Sequence, residues 1–237
     1  MLLMSKSPFF LVALVAMISS ELLAQAKGEA IDGCRFDGKV LRCENYKSTR
    51  LPFKERFKGA QSLYIVGTFD EITFDPGYDE VKKIQLVYGH GATQVSMSVF
   101  KVFKNLVTLS LTSASYWDGG ASKITAIDLT GVGVMTSLRI LELERNSISE
   151  VRGGTFKKCY PKLTSLDLAW NKLTRFNFRK VPNTLTYLDV ATNQITKFVH
   201  KEDLWSFNGL YRLNVNFNKV PMDEYRYKRS YNPPTIN

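Results

Sequence analysis

LTSLDLAWNKL, residues 163–173, has two close copies in the same chain, LRILELERNSI at 138–148 and LTYLDVATNQI at 185–195. Their starts lie 25 and then 22 residues apart, and each follows L-x-x-L-x-L-x-x-N-x-L with apolar exchanges. In Leu163, Leu166 and Leu168 the alternation of the last pair predicts a short strand with one face turned inward. Asn171 carries donors and an acceptor on one side chain, which suits it to bond the backbone where the chain turns a corner after the strand. One such unit cannot bury its own apolar side. Each coil must stack on the next, so function resides in the surface that stacking creates.

Working outward, the same frame fits weaker copies that start at Ala60 (AQSLYIVGT), Val81 (VKKIQLVYG), Leu106 (LVTLSLTSA) and Leu210 (LYRLNVNFN). That makes seven strands, with spacings of 21, 25, 32, 25, 22 and 25 from Ala60 onward. The extra residues of the long coil fall in SYWDGGASK, 115–123, a Gly-Gly loop carrying Tyr116 and Trp117, before Ile124 and Ile127 resume the inward pattern. A second pattern supports this register. Apolar residues recur three and six positions ahead of a strand start: Phe100 and Phe103, Val132 and Met135, Leu204 and Phe207. The spacing gives each convex segment one inward helical or 3-10 face. Phe156 and Cys159 join the series with one residue added near Pro161, so Cys159 takes a core position. There it is either a buried thiol acting as a small apolar residue or a reactive, partner-linked one.

These units resemble the leucine-rich repeat family. The resemblance covers roughly Phe57 to Asn218 and implies an α/β fold: a right-handed leucine-rich repeat solenoid, or horseshoe, with a parallel concave sheet of about seven strands and a disulfide-bonded N-terminal cap. It is specific for fold and weak for function, because one scaffold serves unrelated tasks.

The ends differ in composition. In residues 1–26, Lys6 precedes the apolar run Phe9 to Ile18, and Ala24-Gln25-Ala26 supplies a small-x-small cleavage pattern, so a secretory signal peptide is expected. That run is too short to span a membrane, no later stretch approaches ~18 apolar residues, and the polar end of the tail lacks the hydrophobic segment of a glycolipid anchor. Residues 27–56 form a cap, 57–218 the repeats and 219–237 a C-terminal tail or cap. Of three cysteines, Cys34 and Cys43 bracket CRFDGKVLRC, whose Asp37-Gly38 pair suits a tight hairpin turn that brings the sulfurs together. The resulting disulfide covers the apolar end of the first coil. Caps of extracellular leucine-rich repeat proteins often carry four cysteines; this one has two. At the far end Val220, Met222, Tyr225, Tyr227 and Tyr231 either cover the last coil or pair with another subunit, so the chain is a monomer or a weak homodimer through that end.

Catalysis finds little to work with. His90 and His200 are the two histidines and fall in different coils, with no zinc-type Cys/His spacing and no glycine-rich phosphate loop. No enzyme activity, metal, cofactor or N-linked glycan is expected.

Alternation instead turns strand positions 3, 5 and 7 toward the concave face, with position 8 at its edge. Position 5 reads Tyr64, Gln85, Ser110, Glu142, Asp167, Asp189, Asn214, an acidic stripe across the middle coils with Glu144 beside it. Tyr187 and Arg212 at position 3, and Tyr88, Arg145, Trp170 and Phe217 at position 8, surround it. Aromatics bordering charge are the stuff of protein-binding hot spots. Asp167 and Asp189 either meet a partner or satisfy neighbouring polar groups as part of a common repeat wording. Lys and Arg exceed Asp and Glu by ten, and a basic patch, Lys39, Arg42, Lys47, Arg50, Lys54, Arg56 and Lys58, lies across the cap and first coil.

The expectation is therefore a secreted, extracellular module that binds another extracellular protein through its concave face. By analogy with secreted, capped members of this size, innate-immune recognition is one setting. Two alternatives stand beside it: binding of a polyanion, an anionic glycan or the extracellular matrix through the basic cap, and inhibition of a secreted enzyme. Nucleic acid is not an expected partner.

Overall fold

A parallel ladder runs through all seven expected strand positions. The computed structural model describes residues 33–48, 50–51, 57–67, 72–88, 94–113, 124–207, 209–221 and 235–236. In it the strands Ser62–Gly67, Lys83–Tyr88, Thr108–Ser113, Ile140–Glu142, Ser165–Asp167, Tyr187–Asp189 and Arg212–Asn214 lie side by side in chain order. Every position assigned inward is buried, from Ala60, Leu63 and Ile65 in the first coil to Leu210, Leu213 and Val215 in the seventh. They form one continuous core.

The sheet has ten strands among the described residues, because both ends extend it beyond the repeats. Strands Cys34–Phe36 and Val40–Tyr46 form an antiparallel hairpin, and the second pairs in parallel with Ser62–Gly67. At the far end Thr235–Ile236 pairs with Arg212–Asn214. Neither end carries repeat wording, so counting repeats alone stops at seven. The hairpin turn forms because Asp37 Oδ1 accepts from Lys39 N at 2.9 Å and Val40 N at 2.7 Å while Gly38 takes φ +92°. It sets Cys34 opposite Cys43, and the two are joined by a disulfide. Both are buried, closing the upstream end of the core.

The convex segments are short. Met97–Val102, Phe178–Lys180 and Lys201–Ser206 are 3-10 turns, and Phe156–Cys159 is a single α-turn capped by Thr155. Phe100, Phe103, Val132, Phe156, Cys159 and Phe207 are buried there, and Met135 and Leu204 pack against them. Cys159 is a free, buried thiol whose pKa burial pushes up. Between concave strand and convex turn, small parallel ladders form on the outer side. Gln94–Ser96, Ala126–Asp128 and Glu150–Arg152 make one, and Arg175–Asn177 with Lys197–Val199 makes another.

Four corners share one device. Asn171 Nδ2 donates to the carbonyls of Leu168 and Ala169 in its own coil and to Leu143 in the coil before, at 2.9–3.2 Å, while its Oδ1 accepts from Ile148 N at 2.9 Å. Asn193 and Asn218 repeat both halves of the pattern. Asn146 makes the three donations, but its buried Oδ1 meets no donor among the described residues. The residue before each Asn, namely Arg145, Trp170, Thr192 and Phe217, has φ between +52° and +58°. Positions 1–32, which include the expected signal peptide, lie outside the described residues, as do the 115–123 loop, His90, Lys54, Arg56 and the tail residues Met222, Tyr225, Tyr227 and Tyr231.

Candidate protein-interaction surface

Strand register assembles the concave face from single positions. Arg42, Tyr64, Gln85, Ser110, Glu142, Asp167, Asp189 and Asn214 are paired one to the next across eight strands. Neighbours in such a row stand about 4.8 Å apart. Arg42, assigned above to a separate basic patch, therefore heads the same row as the acids, with Arg35 across the hairpin from it. The register of the cap hairpin onto the first coil is what repeat spacing cannot reveal. The row is cationic at the cap, neutral over Tyr64 to Ser110 and acidic from Glu142 to Asp189.

The two aspartates differ. Asp189 is buried; its Oδ1 accepts from Ala191 N at 2.9 Å, and its Oδ2 from Asn214 Nδ2 at 2.9 Å and the Tyr187 hydroxyl at 3.3 Å. Both its oxygens are engaged inside the sheet. Asp167 Oδ1 accepts from Ala169 N at 2.9 Å, and its other oxygen has no partner among the described residues. Burial raises the Asp167 pKa to about 6 against the pull of the Ala169 N–H, with Asp189, Glu144 and Glu142 adding to the rise. Burial likewise raises Tyr187 to about 12, helped by Asp167 and Asp189 and opposed by Arg212. The Arg212 guanidinium stands 5.3 Å from the centre of the Tyr187 ring, within cation–π range. Glu144 pairs at 3.9 Å with Arg145.

Position 8 needs a correction. In the fourth to seventh coils the left-handed backbone turns that side chain out along the sheet's edge, and Trp170 and Phe217 are 57% and 82% exposed. The Trp170 amide still belongs to the ladder, since its N–H donates to Ala191 O. In the first three coils the strands run on for six residues, so position 8 continues the alternation inward. Tyr88 is accordingly 2% exposed and belongs to the core, not to the edge row.

The basic patch is spread over different elements. Arg42 is in the concave row, Lys39 at the hairpin tip and Lys47 beyond the second cap strand, all exposed. Arg50 is tied to Asp75 at 2.6 Å, and Lys58 sits in the turn before the first repeat strand. His200 is half-buried, with Nδ1 3.2 Å from Glu202 Oε1. Among the described residues there is no cluster of metal-ligating side chains, and no helix is long and apolar enough to cross a membrane.

Residues 136–195 match the family model described as Leucine rich repeat. The fold is a leucine-rich repeat solenoid. The match covers the fourth and fifth coils and the strand and corner of the sixth, where the asparagine corners are regular; the repeats on either side are identified by their continuity with this ladder. A search of curated proteins found no match to the chain. Leucine-rich repeat domains are protein-interaction modules and typically non-enzymatic.

Proposed function

We propose that this leucine-rich repeat protein is secreted and binds another extracellular protein through the concave face and edge of its fourth to seventh coils. Export is supported by the apolar run before Ala24-Gln25-Ala26 and by the Cys34–Cys43 disulfide, a bond that persists in oxidising compartments. The observation that carries the binding site is the outward edge row: two large apolar side chains, Trp170 and Phe217, stand exposed two coils apart along the edge of the sheet whose concave row carries Glu142 and Asp167. A partner surface with Lys or Arg set among apolar side chains is steered by the acids and anchored by the rings. Arg145, Tyr187 and Arg212 frame that contact, and Asp189 holds it in shape.

The test is capture from extracellular fluid on the immobilised protein, followed by titration of the captured partner. Trp170→Ala is expected to weaken binding by about 2 kcal/mol without altering the melting curve. Replacing Lys54, Arg56 and Lys58 together is expected to leave binding intact at physiological salt. The reverse ranking, with affinity falling steeply as salt rises, would move the reading to a polyanion ligand held by the cap.

A further inference from the structure

The outer ladders are interrupted between the fourth and fifth coils. Glu150–Arg152 pairs upstream with Ala126–Asp128, and Arg175–Asn177 pairs downstream with Lys197–Val199, but these two neighbouring strands lie in different sheets. The cause is local. Gly153, at φ +72°, lies so close to the preceding turn that a Cβ there would stand 2.2 Å from Thr130 Oγ1 and 2.5 Å from Thr130 N. With Leu129 N donating to Arg152 O at 2.9 Å, the fourth coil is drawn upstream and away from the fifth. The parting is closed at both ends. Lys172 N donates to Ile148 O at 2.9 Å before it, and Thr184 Oγ1 to Pro161 O at 3.3 Å after it.

Between those pins lies a cleft of about 410 Å³, within the ~300–1,000 Å³ range of small-molecule sites. Its floor is the solenoid core itself: Phe156, Leu168, Leu173, Phe176 and Val181 are all buried side chains that line it. Its walls include Arg175 and Lys180, both exposed and without a charge partner among the described residues. The one acid in the lining, Glu150, is exposed and has the Arg152 guanidinium 4.0 Å away, so the cations at the mouth outnumber it. An extended peptide strand cannot run through an opening pinned at both ends. A short apolar tail inserted end-on can, with its charged head left among the basic side chains at the mouth.

We propose that this cleft between the fourth and fifth coils binds a single-chain amphiphile with an anionic head, of the free fatty acid class. The tail replaces the missing ladder contact against the core, and the carboxylate meets Arg175 and Lys180. The site is separate from the concave face and stands or falls independently of the partner proposed there.

The experiment is titration of the purified full chain with an environment-sensitive dansylated undecanoate. Saturable binding at one site is expected, with displacement by dodecanoate and not by dodecyltrimethylammonium. Arg175→Glu with Lys180→Glu, both at exposed positions, is expected to weaken dodecanoate by about tenfold or more while leaving dodecanol competition unchanged. Val151→Trp, which fills the cleft from its half-buried wall, is expected to abolish probe binding with the circular dichroism spectrum retained. Non-saturable uptake of the probe, or binding indifferent to the charge reversal, overturns the proposal. Should Val151→Trp not fold, the double charge reversal alone decides it.

Discussion

Tyr88 in the second coil and Trp170 in the fifth occupy the same repeat position and meet opposite fates, one 2% and the other 57% exposed. The difference lies one residue later. In the second coil the next residue is Gly89, and the strand carries its alternation through to Tyr88; in the fifth it is Asn171. The Asn171 side chain takes over the bonding of four backbone groups, ends the strand at Asp167, and leaves Trp170 in a left-handed conformation pointing out. A single amide thus decides whether a neighbouring aromatic ring becomes core or surface. At this one position the second coil commits its ring to the core, while the fifth and seventh display theirs.

That contrast can be broken at its origin. Asn171→Ala removes four hydrogen bonds and orphans Ile148 N, while the carbonyls of Leu143, Leu168 and Ala169 each keep a second donor in Asn146 Nδ2, Asn193 Nδ2 and Arg145 N. At roughly 1 kcal/mol per bond, a loss of about 4 kcal/mol is expected in urea unfolding. A loss under 1 kcal/mol would mean that the corner does not depend on the amide. Next in size is the aromatic pair. Tyr88→Ala empties a core site and is expected to destabilise by about 3 kcal/mol, whereas Trp170→Ala should stay within about 0.5 kcal/mol of wild type. Equal effects would erase the distinction between the two halves.

A smaller effect comes from the acids of the displaying half. The folded-state pKa of Asp167, about 6, lies above the ordinary 3.8, so the folded protein holds that proton more tightly than the unfolded chain does. This contribution to stability is full below about pH 4, is lost as pH rises through 6, and is flat above that. Asp167→Asn keeps the acceptor for Ala169 N and removes the ionisation. Its expected gain is up to about 2 kcal/mol at pH 7.5, vanishing at pH 4, as read from melting curves across that range. A variant with the wild-type pH slope would assign the titration elsewhere. The smallest effect is at Thr192, a β-branched residue held at φ +52°. Asn is better tolerated there, and Thr192→Asn should raise stability by about 0.5 kcal/mol; a loss would show that the threonine side chain makes a compensating contact.

How much of this was legible depended on whether a feature is written in one coil or between two. The inward leucines announce themselves through local alternation, and the ladder follows once they stack. Asn171 and its equivalents were legible as corner residues, but their effect on position 8 was not, because it needs the backbone conformation that the amide imposes. Arg42 was read as part of a charged cap because nothing in its own neighbourhood shows that the hairpin docks in register on Tyr64. The outer strands of two or three residues carry no alternation to detect, and the gap beside Gly153 arises from a contact with Thr130 in another coil.

The asparagine corners also have a direction. Leu143 O and Ile148 N in the fourth coil are completed by Asn171 of the fifth, and Leu168 O and Leu173 N in the fifth by Asn193 of the sixth. In this half of the molecule each coil waits for its successor. During synthesis each corner is finished only when the chain about one period further on has emerged, so the regular half of the molecule closes in the order in which it is made. A ribosome that pauses when Asn171 but not Asn193 has emerged holds a nascent chain whose last corner is open, and that unfinished rung is where a chaperone or a protease would find it.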